Sequence, residues 1–366
     1  MRSWVEVSLG RIRANFRAVK AVVGEGVAGE TVEVMPIVKA DAYRHGAVAV
    51  SHALEAEGAR WLGVSNVEEG VVLREAGSQS RILVMADFLE DEREALEAHH
   101  LTPVIHALED LAAVRVPYHL KIDSGMGRLG TRAAPQEIAR AVLAAPAPLE
   151  GLMTHFASSG NYESNQTGEQ VEHFARVLAG LRSAGIEPRY VHSSATIPIA
   201  YRRREAWGNL VRPGHAIYGY VSPAKNGPRP VLNVAPALTW KVTVLEVKDV
   251  PAGALIGYGG IHRATRPTRI AVLAAGYADG VPHRLGNRGQ VIVKGKLAPV
   301  VGAVSMDLTT IDVTDCAPVR AGDAVLLLGS EGGVSINAQQ MARWAGTISY
   351  AVLCGIHARV KRIYVD

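Results

Sequence analysis

Glu33-Val34-Met35-Pro36-Ile37-Val38 is a short apolar run, and it stops abruptly on Lys39-Ala40-Asp41-Ala42-Tyr43. Comparable runs follow at 61–64, 81–85, 101–105, 118–122, 149–153, 190–192 and 210–212. Nearly continuous apolar runs suit strands covered on both faces, as in a parallel sheet. Between them, segments such as 66–76 and 166–184 carry the three-to-four spacing of amphipathic helices. Eight alternations in this length predict a (β/α)8, TIM-like barrel over residues 1–230. A doubly wound sheet competes, but no Gly-x-Gly-x-x-Gly turn follows the first strand.

Past Lys225-Asn226-Gly227-Pro228-Arg229-Pro230 the helical spacing largely vanishes. Residues 231–366 read as a mainly antiparallel β domain, with strands expected at 238–247, 269–275, 290–293, 300–306, 324–328 and 358–365. Turn signals such as Lys294-Gly295-Lys296 divide them, and one helix is expected near 336–345. The start, Met1-Arg2-Ser3-Trp4-Val5-Glu6-Val7, alternates polar and apolar, so residues 1–8 read as a strand joining the β domain and not as a signal peptide.

The 366 residues are 48% hydrophobic and 20% charged, with a net charge of +4, so a large core is available and extended disorder is not expected. The densest basic run, Arg202-Arg203-Arg204, is too short for a nucleic-acid stripe. No window of 18 apolar residues offers a membrane-spanning helix. Two cysteines, Cys316 and Cys354, provide neither a disulfide framework nor a cysteine-based zinc site. The expectation is a cytoplasmic protein.

In such a barrel, polar residues at the C-terminal ends of strands are the catalytic candidates. Lys39 ends the first strand, where desolvation would turn an ammonium into a usable amine. Alone, it reads more readily as a lysine snorkelling out at the rim. Four further strand ends carry polar groups: Lys121-Ile122-Asp123-Ser124-Gly125-Met126-Gly127-Arg128, Thr154-His155-Phe156, His192-Ser193-Ser194-Ala195-Thr196 and Arg212-Pro213-Gly214-His215. In this fold the last position commonly holds a phosphate. A phosphate-bearing ligand whose carbonyl meets a lysine is satisfied by pyridoxal phosphate.

Val38-Lys39-Ala40-Asp41-Ala42-Tyr43-Arg44-His45-Gly46, the Lys121–Arg128 stretch, Thr154-His155-Phe156, Gly276-Tyr277-Ala278-Asp279-Gly280 and Ser305-Met306-Asp307 together resemble the alanine racemases, pyridoxal-phosphate enzymes of fold type III, across the whole chain. The resemblance implies a homodimer with shared active sites that interconverts L- and D-alanine and supplies D-alanine for cell-wall peptidoglycan. It implies that Lys39 carries the cofactor and exchanges the α-proton on one face, and that Tyr277 of the partner subunit does so on the other. Tyr43, Gly214, the backbone at His215, Tyr350 and a hydroxyl after His192 would hold the phosphate, with Arg212 at the pyridine nitrogen. Arg128 and the partner's Met306 would receive the substrate carboxylate, and Lys121 is the position often carbamylated. A tyrosine acting as a base needs cationic or hydrogen-bonding help, for which a His155–Arg212 chain is expected.

The chain departs from the family pattern at Asp41 and Arg44, where Asn and Gly are usual, and at Ala303, where an arginine usually lines the substrate corridor. Counting from His192 without a gap selects Thr196 for the phosphate hydroxyl, whereas matching the Ser-Ala pair selects Ser194. The absent corridor arginine leaves a broad-specificity racemase as an alternative. A barrel-only pyridoxal-phosphate carrier would not need the domain bearing Tyr277 and Met306. A metal-dependent barrel hydrolase wants a His-x-His pair on the first strand, which is absent. Decarboxylases of the same architecture generally place an acid, not an arginine, at the pyridine nitrogen.

Overall fold

The computed structural model describes residues 1–24 and 31–366. They form two compact units, one of Arg11–Ala42 with Ala47–Ala235, the other of Met1–Gly10, Tyr43–Gly46 and Pro236–Asp366. After an opening strand, β1 (Ser3–Ser8), come β2 (Glu33–Val34), β3 (Trp61–Val64), β4 (Arg81–Val84), β5 (Thr102–Ile105), β6 (Tyr118–Lys121), β7 (Leu149–Met153), β8 (Tyr190–His192) and β9 (Leu210–Val211). β3 to β8 pair in succession and β2 pairs with β9, every pair parallel. The ring closes on both sides of that pair. Val38 N–H donates to Gly63 O and Gly63 N–H to Pro36 O, while Arg212 N–H donates to Ser194 O and Asn209 N–H to Val191 O. The eight apolar runs are thus the eight strands of a (β/α)8 barrel.

Seven of the eight strand segments put an apolar or aromatic residue into one interior layer: Met35, Trp61, Leu83, Val104, Met153, Tyr190 and Leu210. The remaining strand, β6, sends in His119, fully buried against Trp61 and Tyr190 at ring separations of 5.4 and 5.9 Å.

At the end of the first strand, Lys39–Arg44 makes a single helical turn of the left-handed kind, with φ between 52° and 64° at Ala40, Asp41, Ala42, Tyr43 and Arg44. None is glycine, and the left-handed form costs about 1–2 kcal/mol per L-residue. Strain of this kind persists only where the surroundings over-determine it. Here Glu69 accepts from Ala40 N–H at 2.6 Å, and Ala42 N–H reaches Val38 O at 2.7 Å. Asp41 accepts from Ala47 N–H at 2.7 Å, at the start of the next helix, Ala47–Ala56. An asparagine could accept the same bond, so Asp41 is a conservative departure. Arg44 donates to Cys354 O at 3.4 Å.

The other unit is built on the long strand Leu238–Val250, which pairs antiparallel with β1 and with Thr268–Leu273 and Ala324–Glu331. β1 also lies parallel to Lys361–Val365. Gln290–Val293 and Lys296–Pro299 make a hairpin whose turn residues, Lys294 and Gly295, have φ of 47° and 77°. The strand expected at 300–306 does not form. Val300 and Val301 make two ladder contacts, then Gly302 turns to φ 77° and the chain leaves the sheet. The local strand is Thr309–Asp312 instead. Helix Ala338–Ala345 is followed by a second, Ser349–Cys354, which has no side-chain cap and no alternating pattern to announce it.

Gly208, at φ 74°, sits where β8 meets β9, and a Cβ there would overlap the backbone carbonyl of Val191. Gly208→Ala should therefore destabilise the protein by about 2 kcal/mol or more, through strain and overpacking together. Urea denaturation measures it; an unchanged midpoint would show that this junction is not constrained.

Candidate active site

Arg212, directly after β9, is 3% exposed. Its Nη1 donates to Nδ1 of His192 at 2.7 Å, and its Nη2 donates to the carbonyls of Thr154 at 2.6 Å and Ser193 at 3.1 Å. No carboxylate among the described residues pairs with it, and burial lowers its pKa to about 9. It stays protonated at neutral pH and contributes an uncompensated positive charge to the barrel's C-terminal end. The histidine bonded to this guanidinium is His192. His155 is an electrostatic neighbour, lowered to about 3 by burial, then Arg212, Lys121, Arg128 and Lys39. The expected His155–Arg212 hydrogen bond is thus not formed; the chain runs through the adjacent strand, because Arg212 turns its fork toward the carbonyl of Thr154 and the ring of His192.

Lys121, the last residue of β6, is 5% exposed. Burial is the largest cause of its lowered pKa, near 8, with Arg128 and Arg212 next and Asp123 opposing. Lys39, Lys121, Arg128 and Arg212 all act on His155 as neighbouring positive charges, an electrostatic setting that favours an anionic ligand. Arg128 rides on a loop latched by Asp123, whose Oδ1 accepts from the N–H groups of Gly125, Met126 and Gly127 at 2.9–3.2 Å while Oδ2 takes Arg132 at 2.8 Å. Burial alone would raise the Asp123 pKa; these donors override it and bring it to about 2.

The two candidate hydroxyls behave differently. Ser193 and Ser194 both donate to Ala206 O, Ser194 at 2.6 Å. Thr196 accepts from Ala216 N–H at 3.2 Å, which leaves its own proton to donate. That amide lies two residues beyond Gly214 and next to His215, so the Gly214-His215 turn and the Thr196 hydroxyl border the same spot.

The remaining candidates lie in the unit with the β domain. Tyr43 and Tyr350 face each other with ring centroids 5.9 Å apart. Burial raises both phenols, and in Tyr43 the neighbouring Tyr350 and Cys354 add to it. The Tyr277–Asp279 turn lies against the Ser305–Met306 backbone, with Tyr277 N–H donating to Ser305 O and Ala278 N–H to Met306 O, both at 3.0 Å. Arg359 locks the pair from below, bonding both oxygens of Asp279 at 2.7 and 2.8 Å and Asp307 at 2.8 Å. Nothing in the sequence announces this latch, since Arg359 lies 80 residues from Asp279. Tyr277 and Met306 are 46% and 55% exposed. Ala303 lines a cavity of about 380 Å³ with Ile261, His283, Arg284, Gly286 and Arg288, and the His283 ring is 6.1 Å from that of Tyr277.

Residues 7–223 match the family model for the alanine racemase N-terminal domain, and 237–364 that for its C-terminal domain. The alanine racemase of Carboxydothermus hydrogenoformans is 40% identical over 372 residues, covering 99% of each chain. Among solved structures, alanine racemase from D-cycloserine-producing Streptomyces lavendulae superposes with a TM-score of 0.90 at 31% identity, covering 100% of this chain and 97% of that one. The Bartonella henselae enzyme, with covalently bound pyridoxal phosphate, gives 0.87 at 26% identity and covers all of both chains. A closed barrel with converging cations at its strand ends, followed by a β domain carrying the exposed tyrosine turn, is thus matched along its length, and the chain belongs to the alanine racemase family.

Proposed function

We propose that this protein is a pyridoxal-phosphate-dependent alanine racemase, an isomerase working in the cytoplasm as a homodimer and supplying D-alanine for cell-wall precursors. The observation that carries the reading is the buried, carboxylate-free guanidinium of Arg212, with Lys121 feeling the charges of both Arg212 and Lys39. No helix among the described residues is long and apolar enough to cross a membrane.

The residues fit the cofactor. A donor-only guanidinium with no anion of its own suits a ring nitrogen lone pair. The Thr196 hydroxyl and the Gly214-His215 backbone suit a phosphate; the phenols of Tyr43 and Tyr350 are assigned to it by the resemblance alone. Bound through Lys39, the cofactor supplies an electron sink that acidifies the substrate α-carbon. Arg212, which keeps its proton at neutral pH, would leave the ring nitrogen unprotonated and that sink weak, so the α-proton returns quickly and transamination is limited.

Inversion requires a proton to leave one face of the α-carbon and arrive on the other, so one base cannot do it efficiently alone. In this reading Lys39 serves one face and Tyr277 of the partner subunit the other. Arg128 and the backbone of the partner's Met306 hold the substrate carboxylate. Exposed Tyr277, Met306, Tyr258, Ile261 and Leu308 in the C-terminal unit support a partner there. A second reading, broad specificity, is favoured by the cavity beside Ala303, where the corridor arginine is missing.

Lys121, with a pKa near 8, has an appreciable neutral fraction and is suited to take up carbon dioxide as a carbamate that would orient Arg128. Incubation with 13C-bicarbonate should give a carbamate carbon signal that Lys121→Ala removes; its absence from the active enzyme would exclude the modification. Tyr277→Phe should slow α-proton exchange from one alanine enantiomer by about a hundredfold or more while sparing the other. Isotope exchange measured separately on each enantiomer decides: equal losses would contradict the two-base assignment.

A further inference from the structure

The interior layer of the barrel holds one residue out of keeping with its neighbours. His119 is fully buried among Trp61, Tyr190 and the apolar ring of the other strands. A polar ring in such a layer costs free energy unless its hydrogen bonds are met. Its Nδ1 lies 2.7 Å from Nε2 of His192, whose Nδ1 in turn lies 2.7 Å from Nη1 of Arg212.

The proton positions along this chain are forced. A guanidinium only donates, so Nδ1 of His192 must be bare. A neutral imidazole carries one N–H, so Nε2 of His192 holds it and donates to Nδ1 of His119. Nδ1 of His119 is therefore bare as well, and its proton sits on Nε2. That atom is buried with no hydrogen-bond partner among the described residues. The nearest acid, Glu150, has Oε2 3.9 Å away. Glu150 is itself fixed by Arg81 through two 2.5 Å bonds, and Arg81 stacks 4.1 Å over Trp61. Both imidazoles are kept neutral, His119 near 3 and His192 well below the ordinary value, by burial first and by the neighbouring charges next.

We propose that His119 is a positioning residue for Arg212: acting through His192, it locks the one tautomer that presents a lone pair to the guanidinium. The consequence is that Arg212 is aimed from inside the barrel, not from the active-site surface. Without the acceptor on His119, His192 can place its proton on Nδ1, which would oppose the Nη1 donor and swing the guanidinium off its axis. For its kinetic arm alone, the proposal rests on the racemase reading.

The test is nitrogen NMR of the cofactor-loaded enzyme labelled with 15N-histidine, combined with two variants. In the native enzyme both His119 and His192 should be Nε2–H tautomers that do not titrate between about pH 6 and pH 9. His119→Phe keeps the ring volume but removes the acceptor; His119→Asn keeps an acceptor near Nδ1. His119→Phe should shift the His192 nitrogen signals and lower kcat in both directions about tenfold or more, with KM within about twofold. His119→Asn should restore the His192 tautomer and most of kcat. An Nδ1–H proton on native His192, or a His119→Phe enzyme with native kcat and native His192 signals, would overturn the proposal. If His119→Phe does not fold, the native spectrum and His119→Asn decide alone. A native enzyme that yields no D-alanine would refute the racemase reading and leave the NMR arm to judge the relay.

Discussion

A guanidinium buried inside a protein without a carboxylate sets the terms for everything around Arg212. Removing a charge from water costs several kcal/mol even after relaxation, and here no opposite charge compensates it. The chain meets that cost with neutral acceptors: two backbone carbonyls, from Thr154 and Ser193, and the lone pair of His192. An ionised acid in their place would cancel the positive charge that the guanidinium presents. Three neutral acceptors hold the same cation while leaving it a pure donor. Burial first, and then the positive charges of Arg212, Lys121, Arg128 and Lys39, keep His155 uncharged.

Much of the barrel was legible because it depends on short-range chemistry. Each of the eight apolar runs suits a strand buried on both faces, and five of them end in polar residues that mark the C-terminal rim. Lys39, Lys121, His155, His192 and Arg212 were visible as strand-end residues for that reason. What the pattern did not carry was which of them touch. His155 and His192 look alike in sequence, and only the direction of the Arg212 fork separates them. The Asp279–Arg359–Asp307 latch joins segments far apart in the chain and leaves no local trace. The expected strand at 300–306 failed for a local reason: Gly302 takes a positive φ, and the following residues serve the Tyr277 turn instead of a ladder.

The Lys39–Arg44 turn was hidden in a different way. Nothing in Lys-Ala-Asp-Ala-Tyr-Arg suggests a left-handed conformation, since none of these residues favours it. The strain is maintained by Glu69 and Asp41, each accepting a backbone N–H, and it appears where the chain carries its candidate reactive lysine. A turn so constrained has few alternatives, and a lysine at its start is held in one direction. The departure at Asp41 preserves this arrangement. Of the three departures, Asp41 leaves the turn intact, whereas Ala303 lines a cavity that holds His283, the neighbour of Tyr277.

Racemisation with solvent exchange at the α-carbon is the claim that joins these features. The most direct test incubates the purified protein, with pyridoxal phosphate, in deuterated water with an equimolar panel of L-amino acids, and reads chirality and α-deuterium for each. The expected result is D-alanine carrying α-deuterium as the dominant product, with further D-amino acids if the space at Ala303 admits larger side chains. Cofactor demonstrably bound, with no inversion and no exchange in any amino acid, would contradict it.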